Sequence, residues 1–192
     1  LAYGPNYDPN LITLEMTPSE RIEKLAKAKG CKPSDLMICV LERPRHQNLI
    51  QEIRDTGARL RLITDGDVAG VIHCADTPKT GIDMYMGSGG APEGVLAASA
   101  LKCLGGQIQG RLIFRSDTER KRAMVAGIDN LNKIYTLNEM VTKDVIFAAT
   151  GVTDGSILRG ARWDGNTLEM ETILMRSKTG SVRRLLYRQR FS

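Results

Sequence analysis

The chain has 192 residues, 42% of them hydrophobic and 26% charged, with a formal net charge of +5. That is enough apolar surface for one globular domain with its own core. No apolar run approaches the roughly 18 residues of a membrane span, and four cysteines without a C-x-x-C pair, beside only two histidines, fit no zinc-ligand spacing.

The opening LAYGPNYDPN lacks the basic-then-apolar pattern of a secretory signal. It reads as loop and starts abruptly at Leu1, without a Met, as expected of the C-terminal piece of something longer. TPSERIEKLAKAKG is a well-marked helix. Thr17 stands at the N-cap, Pro18 at the first helical position and Glu20 where a capping box needs it, and Gly30 provides the stop.

SDLMICVLE reads as a strand apolar on both faces, as parallel strands are. RHQNLIQEIRDTG is an amphipathic helix with Leu49, Ile50 and Ile53 inward, ending at Gly57. ARLRLIT is the next strand, VAGVIHCAD a short helix and GIDMYM a short buried strand. APEGVLAASALKCLG is a helix that is apolar almost all round. Later come helices in TERKRAMVAG and near TLNEMV, a strand in DVIFAATG, and a final strand pair turning at Thr179-Gly180. Cys39 and Cys103 fall in apolar elements and read as buried, reduced thiols.

Strands alternating with helices at this spacing predict βαβ units. The expected fold class is α/β: a mainly parallel sheet flanked by helices, with an antiparallel C-terminal extension. The six basic residues from Arg176 to Arg190, with no acid among them, carry the chain's positive excess. No aromatic stacking set is interleaved with them, so the expectation is a solvated strand pair, with neither nucleic acid nor membrane as partner.

Three corners follow the first three of these strands: ERPRH, TDGD and GSGGAPEG. Ligands of open parallel sheets bind outside the carboxyl ends of the strands, so the corners are expected to line one crevice. The glycine loop is not a dinucleotide fingerprint, because Pro92 stands where the third glycine is needed, and no Gly-Lys-Ser/Thr follows it. What remains is a loop whose glycines 87, 89 and 90 let a ligand approach the backbone. Glu93 lies in the first turn of the next helix, either as an ordinary helix-start acid or as a ligand for a hard cation.

Asp65 and Asp67 flank Gly66 and suit metal, sugar hydroxyls or a helix cap. Arg43 and Arg45 flank Pro44 and offer planar forks for phosphate, or solvated charge. His46 either assists there or only starts its helix, and His73 reads as a core residue. Together the corners suit a phosphorylated sugar with a divalent metal, and phosphate-ester hydrolysis is the natural reaction class. One glutamate does not hold the metals of such chemistry, so no full catalytic constellation is expected in this chain.

ERPRH, RLITDGDVAG, GGAPEGVLAASALKCLGGQIQGRL and FAATGVTDG together resemble the class II fructose-1,6-bisphosphatases of bacteria, from about Lys24 to Val182. The resemblance implies a cytoplasmic, Mg2+- or Mn2+-dependent enzyme of gluconeogenesis that removes the 1-phosphate of fructose 1,6-bisphosphate. It also implies the layered α/β/α/β build of the lithium-sensitive sugar phosphatases. Residue by residue, it implies a metal ligand at Glu93 and substrate contacts at Arg43, Pro44, Arg45, Asp65, Gly66, Asp67 and Gly90.

Members also carry an N-terminal lobe with most of the metal-binding carboxylates and a DPIDGT-type stretch. Neither is found here, so residues 1–192 are expected to be the C-terminal lobe alone, inactive by itself, its partner the N-terminal portion of the same protein. The resemblance implies a homo-oligomer, dimer or tetramer by default. A sedoheptulose-1,7-bisphosphatase and a non-catalytic sugar-phosphate-binding module are the alternatives.

Overall fold

The computed structural model describes residues 1–191. In chain order the elements are β1 (Ala2–Tyr3), α1 (Pro18–Lys29), β2 (Met37–Leu41), α2 (Gln47–Asp55), β3 (Arg59–Ile63), α3 (Asp67–His73), α4 (Thr77–Thr80), β4 (Met84–Tyr85) and α5 (Ala91–Leu104). There follow β5 (Gln107–Arg111), α6 (Asp117–Val125), β6 (Ile134–Thr136), α7 (Leu137–Met140), β7 (Ile146–Thr150), β8 (Arg162–Asp164), β9 (Thr167–Arg176) and β10 (Ser181–Arg190).

Helix α1 forms as its ends dictate. Thr17 Oγ1 accepts the Glu20 N–H at 3.2 Å and Glu20 Oε2 accepts the Thr17 N–H at 2.7 Å, which satisfies two otherwise orphaned donors. Gly30 closes the helix in the left-handed conformation, φ 71°. The face between them buries Ile22, Leu25 and Ala26.

The larger sheet has the order β3-β2-β4-β1-β5-β6. β2 pairs in parallel with β3 and β4, while β1 and β6 run against their neighbours, so four of the six strands share one direction. Both faces are covered, which is why β2 is apolar throughout. Ile38, Val40, Met84 and Tyr3 face α1 and α2, whereas Cys39, Tyr85 and Ala2 face α3 and α5. A separate antiparallel sheet, β10-β9-β7 with β8 on β9, packs Ile173 and Met175 against Ala100 and Cys103 of α5 and Ile72 of α3. Helices, sheet, helices and second sheet make four layers, the expected α/β class with its antiparallel extension.

Several local features differ from or add to the sequence expectation; β5, β6 and β8 fall where no strand is read from the sequence. The opening residues are not loop: Ala2 and Tyr3 lie in the middle of the larger sheet, between β4 and β5. Helix α4 follows α3 through a tight turn where only one short helix is expected. Helix α5, apolar almost all round, leaves Val95 49% and Leu96 53% exposed. His73 is half-buried at the end of α3 rather than in the core, and burial lowers its pKa.

Cys39 and Cys103 are buried free thiols, and burial pushes Cys39 up to about 11. The basic C-terminal residues lie on a hairpin in which Arg188 pairs with Glu169 at 2.5 Å and Arg184 with Glu171 at 3.5 Å. No helix among the described residues is long and apolar enough to cross a membrane.

Candidate functional site

β2, β3 and β4 run in one direction, so their carboxyl ends open on one side of the sheet. After β2 the chain makes a tight turn, Pro44–His46, with Pro44 at its first position and Arg43 ahead of it. After β3, Gly66 turns the chain with φ 77° and ψ 50°, a left-handed conformation that glycine adopts without a side-chain clash. After β4, residues 87–90 lead without regular structure into α5, with Gly90 at the N-cap, Ala91 and Pro92 opening the helix and Glu93 in its first turn.

Three consecutive residues of that last loop are each touched by a different charged side chain. Arg45 reaches Ser88: Nη2 donates to the carbonyl at 2.7 Å, and Nε donates to the carbonyl at 3.3 Å and to Oγ at 3.1 Å. Asp67 lies against Gly89, where an added β-carbon would stand 2.5 Å from Oδ2. Glu93 folds back over Gly90, and a β-carbon there would overlap Oε2. Ser88 and Gly90 are two Cα steps apart, at most about 7 Å, so the guanidinium and both carboxylates share one small area.

The other expected residues are close by but not bound to this loop. Arg43 Nη1 donates to the Glu42 carbonyl at 2.8 Å, and Asp65 Oδ1 accepts the Gly66 N–H at 2.7 Å. Gly66, not Asp67, is the N-cap of α3. Asp67 occupies the first helical position, and its Oδ1 accepts the Val68 N–H at 2.9 Å.

Two groups that the sequence reading did not weigh also lie at this loop. Ser88 sits between Arg45 and His46, its polarity hidden among glycines in the sequence. Tyr85 ends β4 buried beneath the loop, and its hydroxyl would lie 3.5 Å from a β-carbon on Gly87. Burial holds that phenol well above its ordinary range, so it stays a neutral donor. A second concavity, about 370 Å³, lies on the outer sheet between β7 and β10. Its lining has Arg176, Arg183, Thr179 and Ser181 but no carboxylate or imidazole.

The family described as bacterial fructose-1,6-bisphosphatase, glpX-encoded, matches residues 1–188, almost the whole chain. The chain belongs to this family. It is 38% identical over 185 residues to the D-fructose 1,6-bisphosphatase class 2/sedoheptulose 1,7-bisphosphatase of Synechococcus sp. (strain JA-3-3Ab), a match covering 90% of this chain and 53% of the relative. It is 38% identical over 199 residues to the fructose-1,6-bisphosphatase class 2 of Haemophilus influenzae, covering 96% of this chain and 59% of the relative. The chain thus spans somewhat more than half the length of these relatives.

Glu93 has the donor chemistry of a hard-cation ligand: an exposed carboxylate at a helix start, beside an open backbone. It fits as one ligand and not as a site. No group of three His, Cys, Asp or Glu among the described residues is arranged to hold a metal ion.

Proposed function

We propose that the chain is the substrate-binding, C-terminal portion of a divalent-metal-dependent bisphosphatase that hydrolyses the 1-phosphate of D-fructose 1,6-bisphosphate, giving fructose 6-phosphate and phosphate. The observation that carries this reading is the meeting of Arg45, Asp67 and Glu93 on Ser88, Gly89 and Gly90, in a chain of the glpX-encoded family.

The roles follow from chemistry. Arg45, and Arg43 beside it, offer planar forks that match phosphate oxygens, on a corner stiffened by Pro44. Asp65 and Asp67, set by the Gly66 turn, accept from sugar hydroxyls. Gly90 presents bare backbone to the ligand. Glu93 supplies one ligand to Mg2+ or Mn2+, an ion that neutralises charge developing on phosphoryl oxygens. These residues bind and orient; orientation alone is worth several powers of ten when the reacting atoms are held at near-attack distance.

The remaining metal ligands and the group that orients the attacking water belong, in this reading, to an N-terminal lobe of the same protein. Two observations support that division. The relatives are nearly twice as long as their matched region, and Glu93 has too few acidic neighbours to enclose an ion. Val95 and Leu96, half-exposed one turn beyond Glu93, give such a lobe an apolar surface to close on. We place the enzyme in the cytoplasm, in gluconeogenesis, as a homo-oligomer.

A dual specificity that includes sedoheptulose 1,7-bisphosphate is the second reading, favoured by the dual activity for which the Synechococcus relatives are named. The test is to read the coding sequence upstream of Leu1, purify the complete product and measure phosphate release from both sugars with Mg2+ or Mn2+. Release from fructose 1,6-bisphosphate by the complete product, and little or none by residues 1–192 alone, is the expected result. Equal turnover by the short chain contradicts the division of labour. A complete product that begins near Leu1 and binds fructose 6-phosphate without turnover replaces the enzyme reading with a binding module.

A further inference from the structure

His46 is 3% exposed, and both its ring nitrogens are engaged. Nδ1 lies 2.6 Å from the Leu41 carbonyl oxygen at the end of β2. Nε2 accepts the Ser88 backbone N–H at 2.9 Å and lies 3.0 Å from Ser88 Oγ. A carbonyl only accepts and a backbone amide only donates, so the partners fix the ring: the proton is on Nδ1 and the lone pair is on Nε2. A second proton would set N–H against N–H across the Ser88 contact.

Ser88 passes this constraint on. Its N–H donates to Nε2, with Oγ 3.0 Å from the same nitrogen; Oγ accepts from Arg45 Nε, and its carbonyl accepts from Arg45 Nη2. The whole run is Arg45 to Ser88 to His46 to Leu41, a chain of hydrogen bonds that joins the β2 corner to the glycine loop after β4. Nε and one N–H of Nη2 are thereby occupied. The second Nη2 N–H and both on Nη1 have no protein acceptor among the described residues and remain for a ligand.

We propose that neutral, Nδ1-protonated His46, acting through Ser88, presets the Arg45 guanidinium for an anionic oxygen of the substrate. His46 is a positioning residue: it touches no substrate, and it acts by removing the freedom that Arg45 otherwise loses on binding. The inference rests on the reading that Arg45 contacts a sugar phosphate.

The test uses the complete gene product. His46→Ala raises KM for fructose 1,6-bisphosphate about tenfold and leaves kcat within about twofold, because an interaction common to ground and transition states is weakened. His46→Gln, which returns an acceptor near the place of Nε2, recovers most of the loss. Ser88→Ala costs less, since the carbonyl contact survives. In an Arg45→Ala background, His46→Ala adds nothing further; independent, multiplying effects overturn the proposal. So does a fall in kcat at unchanged KM.

Nitrogen NMR of the unsubstituted protein separates this from the functional reading. Nδ1 protonated and Nε2 bare, with Arg45 Nε–H exchange slow in the wild type and fast in His46→Ala, is expected whatever the sugar. The opposite tautomer, or equal Arg45 exchange in both proteins, overturns the proposal even if the enzyme turns over. Absent turnover with the expected spectra overturns only the assignment of the substrate.

Discussion

The Asp67 carboxylate rests against the backbone of Gly89, with Oδ2 2.5 Å from the place of a β-carbon. This contact joins the corner after β3 to the loop after β4. It exists because residue 89 has no side chain, not because of a special backbone angle: Gly89 is not among the glycines with positive φ.

Gly89→Ala therefore tests the crevice without backbone strain. The methyl group displaces the Asp67 carboxylate. KM of the complete enzyme for fructose 1,6-bisphosphate rises roughly tenfold, while the melting temperature moves little, since an exposed loop site away from the core costs at most about 0.5 kcal/mol. An unchanged KM places the sugar hydroxyls elsewhere.

Arg45→Ala raises KM and largely spares kcat, as expected for binding of a phosphate remote from the reacting centre. Arg45→Lys does not restore the lost affinity. An ammonium is a point charge and cannot hold Ser88 with one edge and a phosphate with the other, as a planar fork can. Steady-state kinetics of the two variants decide this, and full rescue by Lys contradicts the two-edged role.

Leu101 is fully buried on α5, the helix layer between the two sheets, and packs with Val71, Tyr85 and Ile108. Leu101→Ala leaves a cavity there and destabilises the fold by about 2–5 kcal/mol, read from urea denaturation. A loss below about 1 kcal/mol means that the layers close over the gap.

Asp83 is 5% exposed at the start of β4; one oxygen accepts Lys29 Nζ at 2.5 Å and the other the Met37 N–H at 2.9 Å. The hydrogen bond from Lys29 to Asp83 raises the lysine pKa. A raised folded pKa means that the lysine's contribution is complete below the unfolded value, about 10.4, and fades as pH climbs through the higher folded value. Asp83→Asn is thus less stable than the wild type at pH 7, by about 1 kcal/mol because the Lys29 side chain is 37% exposed and solvent screens the pair, and the gap narrows above about pH 10.4. Denaturation midpoints across that range check the sign. A gap that widens with pH contradicts it.

Local signals carried much of the structure. The Thr17–Glu20 box, the apolar run of β2 and the glycine-proline corner before α5 each follow from neighbours in sequence, and each forms as read. Placing three strand ends side by side required only the parallel rule, and it brought Arg45, Asp67 and Glu93 to one loop. β1 was illegible, because two residues before Gly4 and Pro5 show no period, and only pairing with β4 and β5 makes them a strand. The exposure of Val95 and Leu96 was hidden for a related reason: an apolar helix shows what it is able to bury, not what covers it. The bond from His46 to Ser88 joins residues 42 positions apart and leaves no local trace.

The most direct measurement is phosphate release from fructose 1,6-bisphosphate by the complete gene product, wild type and Glu93→Ala, across a titration of Mg2+ or Mn2+. The account predicts turnover by the wild type, a marked loss in Glu93→Ala at low metal, and partial recovery when the metal is in excess. Wild-type turnover with an identical metal profile in Glu93→Ala contradicts the role given to that carboxylate, and no turnover at any metal concentration contradicts the bisphosphatase reading itself.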